Sequence, residues 1–368
     1  MNPELFDSLE KTLRSQGPGA GFAQLIGGIL EEKNYPLLFE ARLMQKRHEM
    51  GLPLLYSGPI SDLPAEKQSA YEAAGLEAAR ETGELFLASG DIPRAWTYFR
   101  AIGDPAPVSR AIEQAQAGEG IEPVIDIALT ENVNPRKGFE LLIERHGICR
   151  AIDYGAQYRN DGAIRRMFLD KLVRTLYRDL TANLVEAIGA DAAPGARVAE
   201  LIAGRDWLFE GARHYIENSH LASVVQLSVE LEDRETLRMA WELSEYGQRL
   251  APMLHFEGQP PFQDTHRDYG EYLRALLDEN REAAVEHFRG KVQAGVPGAP
   301  EALVGLLSRL GRYQEAIAAS LTHLGGEAGF GCPSAVQLSQ MAGDFQRLRE
   351  VARSQGDVLG FVAGVIAG

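Results

Sequence analysis

The sequence predicts an all-α chain built as an α-solenoid of stacked antiparallel helical hairpins, and three observations carry that expectation. Nearly every segment places apolar residues at helical spacing. Alternating β-branched runs bounded by turns are missing. The stretch from Gly83 to Phe99 joins two helical patterns through a Gly90-Asp91 turn, and weaker echoes of it recur near the C-terminus. A helix pair of that kind cannot bury its apolar face alone, so its repetition implies neighbours stacked against it.

The elements follow in order. Residues 1–62 read as a helical hairpin and a connector: Phe22, Leu25, Ile26 and Ile29 mark one amphipathic helix, and Leu38, Ala41, Leu43 and Met44 mark the next, after Pro36. Gly17-Pro18-Gly19-Ala20-Gly21 is a linker and cap, since no strand precedes it as a phosphate loop would require. From Gly51 to Pro64 the residues Pro53, Gly58, Pro59 and Pro64 break or cap helices. Residues 63–120 are helical again, interrupted at Gly90-Asp91 and at Gly103-Asp104-Pro105, where Gly supplies the left-handed cap and Asp the next N-cap. Residues 121–250 hold irregular helical pairs. The longest helix there begins after Asn160-Asp161-Gly162 and runs to about Ile188, with Ile164, Phe168, Leu172, Leu176, Leu180, Leu184 and Ile188 along one side. Residues 251–268 form a Pro-rich insertion with Pro252, Gly258, Pro260 and Pro261, and residues 269–368 return to hairpins.

The hairpins of 63–120 and 269–368 carry small and aromatic residues at set positions. Gly83 and Phe86 stand in the first helix of one pair, Ala95 and Phe99 in the second, and Pro107 follows. Further copies run from Tyr272 through Leu277 to Ala284 and Phe288, and from Leu306 through Tyr313 to Ala316 and Ile317. This pattern resembles the tetratricopeptide repeat over roughly a third of the chain. The C-terminal copies depart from it, with Tyr272 and Val304 where a small residue normally sits and Ser320 where a larger apolar one does. The resemblance implies a tetratricopeptide-like superhelix whose concave face takes a peptide or a partner's helix.

Composition narrows the classes. A chain of 368 residues with 45% hydrophobic and 24% charged residues is ordinary globular material. Its formal net charge of -15 opposes nucleic acid and anionic membrane surfaces as partners. The start, Met1 to Asp7, is acidic and no apolar signal core follows, which points to a cytoplasmic location. The run from Val358 to Gly368 falls short of the roughly 20 residues a spanning helix needs and reads as a final packed helix. Cys149 and Cys332 supply neither a disulfide framework nor a thiolate cluster, and Cys149, beside Ile148 and Ile152, is expected to be buried.

Three groups of side chains are candidates for chemistry. In the first, the stripe Phe139, Leu142, Ile143 leads inward to His146, and the stripe Trp207, Leu208, Gly211 leads to His214, with Glu217 one turn on and His220 after a turn at Asn218-Ser219. If hairpin junctions line one rim, His146, His214, Glu217 and His220 would suit a divalent metal, Zn or Fe. Their spacing is not the His-Glu-x-x-His pattern, and core histidines bonded to helix-end carbonyls are the alternative. In the second, His255, Asp264 and His266 lie in the Pro-rich insertion, where Phe256 and Phe262 would anchor a lid over a pocket, unless the insertion merely replaces a helix. In the third, Lys171, Arg174 and Arg178 share a stripe that would clamp carboxylates or phosphates, unless acids such as Asp170 pair with them. The function expected is a cytoplasmic protein-interaction scaffold, and the alternative is a metal-binding protein or metal-dependent enzyme using the His/Glu set.

Overall fold

The computed structural model describes residues 3–55, 58–329 and 331–368. Met1 and Asn2 of the acidic start, and Tyr56 and Ser57 within the expected connector, lie outside the described residues. Among the described residues the chain is helical throughout, with no strand beyond two isolated bridges, Glu257 to Asp264 and Gly329 to Cys332. No described helix is long and apolar enough to cross a membrane. Backbone contacts gather the chain into two compact units, 1–147 and 148–368.

The first unit holds α1 (Pro3–Gln16), α2 (Pro18–Glu31), α3 (Tyr35–Glu49), α4 (Ala65–Ala88), α5 (Ile92–Ala101), α6 (Ala106–Glu113) and α7 (Glu122–Leu129), and receives the first part of α8 (Pro135–Gln157). From α1 to α6 each helix packs on the next. Ile26 and Ile29 of α2 and Leu38 and Ala41 of α3 close one core with Leu85 of α4, as the hairpin pattern requires. Asn34 caps α3 by accepting from the Leu37 N–H, with Pro36 in the first turn where its missing donor costs nothing. Among its described residues the connector contains only a short 3-10 turn, Ile60–Asp62.

The turn between α4 and α5 matches its sequence. Gly90 takes φ +81°, and the Asp91 carboxylate accepts from the Arg94 N–H at 3.0 Å. The pair is close: a Cβ on Gly83 would fall 2.7 Å from the Phe99 ring, and Ala95 and Phe99 are fully buried. At the next turn only half of the expectation holds, because Gly103 is left-handed but α6 is capped by Pro105, without a side-chain bond from Asp104.

The second unit holds the rest of α8, then α9 (Gly162–Ile188), α10 (Val198–Ile202), α11 (Asn218–Ser228), α12 (Arg234–Gln248), α13 (Thr265–Leu276), α14 (Arg281–Gln293), α15 (Ala299–Arg309), α16 (Tyr313–His323), α17 (Ala335–Met341), α18 (Phe345–Gln355) and α19 (Val358–Ala367). The long α9 spans the expected residues, is capped by Asp161, and buries Phe168, Leu172, Leu176, Leu180 and Leu184 against α10, α11 and α12. From α11 to α19 every helix packs on its successor. Tyr272, Phe288, Leu303, Leu306, Leu307, Ala316 and Ile317 share one core, so the departures at Tyr272 and Val304 are absorbed rather than excluded.

Two expectations are corrected here. The final helix forms, but it is not packed around its circumference: Val358 and Leu359 are 71% and 83% exposed, and Ile366 is 81% exposed. Cys149 is exposed, because Gly147 adopts φ 79°, ψ 171° inside α8 and turns the helix out of the register set by Phe139 and Leu142.

Candidate functional site: the Pro-rich loop and its buried histidine

The chain between α12 and α13 makes a short 3-10 turn at Pro252–Leu254, bridges back on itself through Glu257 and Asp264, and enters α13 under the Asp264 cap. Helix therefore starts at Thr265, inside the expected insertion. Phe262 anchors the loop by stacking on Tyr269 at 4.0 Å between ring centres, with Phe288 at 5.4 Å. Phe256 does not share that duty and is 46% exposed.

The three candidate residues of the loop fare differently. His255 is exposed, and its Nε2 lies 3.0 Å from the Leu250 carbonyl. Asp264 is exposed and accepts from the Arg267 N–H. His266 is 1% exposed, and neither of its ring nitrogens has a hydrogen-bond partner. The ring fits because α12 carries Gly247 opposite it: a Cβ there would lie 2.4 Å from Nδ1. Burial, reinforced by the neighbouring His255 and opposed by Asp264, pulls the His266 pKa down to about 4. His266 is therefore neutral at pH 7. The His255 and His266 ring centres are 6.1 Å apart, edge to face.

Two residues further along α13, Asp268 is 1% exposed and tightly held. His287 Nε2 donates to its Oδ1 at 2.8 Å, Lys291 Nζ lies 2.8 Å from Oδ2, and the Asp264 N–H donates to Oδ2 at 3.0 Å. Burial alone would raise this carboxyl's pKa, but the bonds from His287 and Lys291 outweigh it and the pKa is lowered. Lys291 also donates to the Pro261 carbonyl at 2.5 Å, so the same ammonium pins the end of the loop to α14. The sequence reading gave Asp268 no role. His287 and Lys291 stand four residues apart on one helix face, a spacing that could have marked them as co-ligands of one anion.

A second buried carboxylate was also missed. Glu242 is 2% exposed, accepts from Tyr177 Oη at 2.6 Å and from Arg197 Nε at 2.6 Å, and ties α9, α10 and α12 together. Burial and then Glu242 raise the Tyr177 pKa well above the usual phenol value, so the hydroxyl stays a donor.

The remaining candidates lie apart from this loop's chemistry. His146 lies just before the end of the first unit's share of α8 and is exposed rather than inward, because the kink at Gly147 ends its stripe. His214 is exposed because Asp206–Ala212 is a 3-10 segment broken at Glu210 and Gly211, not the α-helix the stripe presumed. His214 and Glu217 do line one shallow hollow with Asn183 and Tyr215, and His220 is half-buried on α11. Among the described residues no group of three or more His, Cys, Asp or Glu is placed to hold a metal ion. Arg174 bonds Asp170 at 2.9 Å and Asp233 at 3.1 Å, and Arg178 bonds Asp179, while Lys171 is half-buried beside them.

These features define an all-α protein whose successive helices pack in adjacent pairs, with a Pro-rich loop leading into a helix that buries a neutral imidazole against its neighbour. Comparison with protein-family models, with curated proteins and with solved structures finds no match.

Proposed function

We propose that the chain is a cytoplasmic protein-interaction scaffold, an α-solenoid of tetratricopeptide-like hairpins that binds a peptide or a partner's helix in the groove its stacked helices leave open. The observation that supports this reading is the packing order: along α1 to α6 and again along α11 to α19, each helix packs on the next in sequence. In the first unit a hollow of about 490 Å³ runs between α3 and α4, its charged lining made by Arg42, Lys46 and Arg80 and by Glu49, Glu77, Glu81 and Glu84. Arg42 is committed to Glu81 at 2.7 Å, whereas Glu77 and Glu84 are exposed on the α4 side. A segment bearing Lys or Arg at helical spacing suits that wall.

The test is a pull-down from the source cytoplasm with wild type, with Glu77→Lys/Glu84→Lys, and with His214→Ala/His220→Ala. The scaffold reading expects a defined partner that the first variant loses and the second keeps. No reproducible partner, or loss through the histidines instead, counts against it.

A further inference from the structure

The loop between α12 and α13 brings together two imidazoles, which carry an inference independent of the scaffold reading. Ligand bonds of about 2.0–2.1 Å allow two ring centres on one ion to stand up to roughly 6.4 Å apart, and about 5 Å apart in tetrahedral geometry. The 6.1 Å between His255 and His266 lies inside that reach, and a closure of about 1 Å completes it.

The nitrogens are prepared for such a role. A carbonyl only accepts, so the 3.0 Å contact to Leu250 O places a proton on His255 Nε2 and makes Nδ1 the nitrogen that would ligate. That is how the far nitrogen of a metal-bound histidine is usually held. His266 is 1% exposed with both nitrogens unpartnered, a costly state for a polar ring that ligation would relieve.

We propose that His255 and His266 form a two-histidine site for a divalent transition-metal ion, with water completing the coordination. Two imidazoles select the Zn²⁺, Ni²⁺ and Cu²⁺ class over Mg²⁺ or Ca²⁺, which take oxygen ligands. The site is distinct from the set His146, His214, Glu217 and His220.

The full chain, stripped with chelator and titrated with ZnCl₂ in a calorimeter, should bind Zn²⁺ with a Kd on the order of micromolar. His255→Ala and His266→Gln should each weaken that binding about tenfold or more. No binding up to about 1 mM, or a smaller loss in either variant, overturns the proposal. His255→Ala changes an exposed side chain and decides the matter by the same threshold if His266→Gln does not fold.

Discussion

Two helix pairs in this protein use the same packing device on different chemistry. In the first unit Gly83 on α4 admits the Phe99 ring from α5, and in the second Gly247 on α12 admits the His266 ring from α13. Each glycine removes a Cβ that would strike the facing ring, at 2.7 Å and 2.4 Å respectively. Phe99 gains from full burial because it has no polar atom to satisfy. His266 is likewise admitted by a glycine, but with two nitrogens that find no partner. The same device, a glycine facing a ring, thus serves an apolar ring in one place and a polar one in another, and the two differ in the polar groups left to satisfy.

The largest expected effect is on the apolar side. Phe99→Ala should cost about 4 kcal/mol, read by denaturant unfolding or by hydrogen exchange in α5, since it empties a fully buried site. A cost below about 1 kcal/mol would mean that the pair collapses freely and the close approach is incidental.

The next effect is on the polar side and depends on pH. His266 has a folded pKa of about 4 against an ordinary 6.5, so the unfolded chain binds the extra proton between those values. Its contribution is therefore complete above pH 6.5 and is lost as pH falls toward 4, by roughly 3 kcal/mol. In metal-free protein His266→Leu should remove that slope and stabilise the chain slightly at pH 7, whereas an unchanged acid profile would show that the ring is not insulated from water.

The smallest effects come from the glycines. Gly83→Ala and Gly247→Ala should each destabilise by about 1–2 kcal/mol, because the clash outweighs the roughly 1 kcal/mol that Ala gains in a helix. If thermal melting shows either variant to be neutral, the ring at that site has room to retreat.

Much of the architecture was legible because it rests on local rules. The span of α9 followed from its 3.6-residue stripe and from Asp161, and the α4–α5 turn from Gly90-Asp91. The site was less legible where phase or long-range pairing decided the outcome. His146 and Cys149 flank a glycine that breaks the helix, and the Trp207 stripe lies in 3-10 geometry, so extrapolating a helical face failed at both junctions. Glu242 and Asp268 look like ordinary surface acids in sequence. Their burial depends on Tyr177 and Arg197 in one case and on His287 and Lys291 in the other, all brought in from distant parts of the chain.

The bonding of the Pro-rich loop is uneven, and that has a mechanical meaning. Its second half is fastened: Lys291 grips Pro261, Gly258 bonds Gln263, and Thr265 holds the Phe256 carbonyl. Among the described residues the turn from Pro252 to His255 bonds only to itself and to the neighbouring Ala251 and Leu250. His266 is thus a fixed jaw set in α13, and His255 is the jaw that can swing, so opening the pair would not disturb the aromatic stack beneath it.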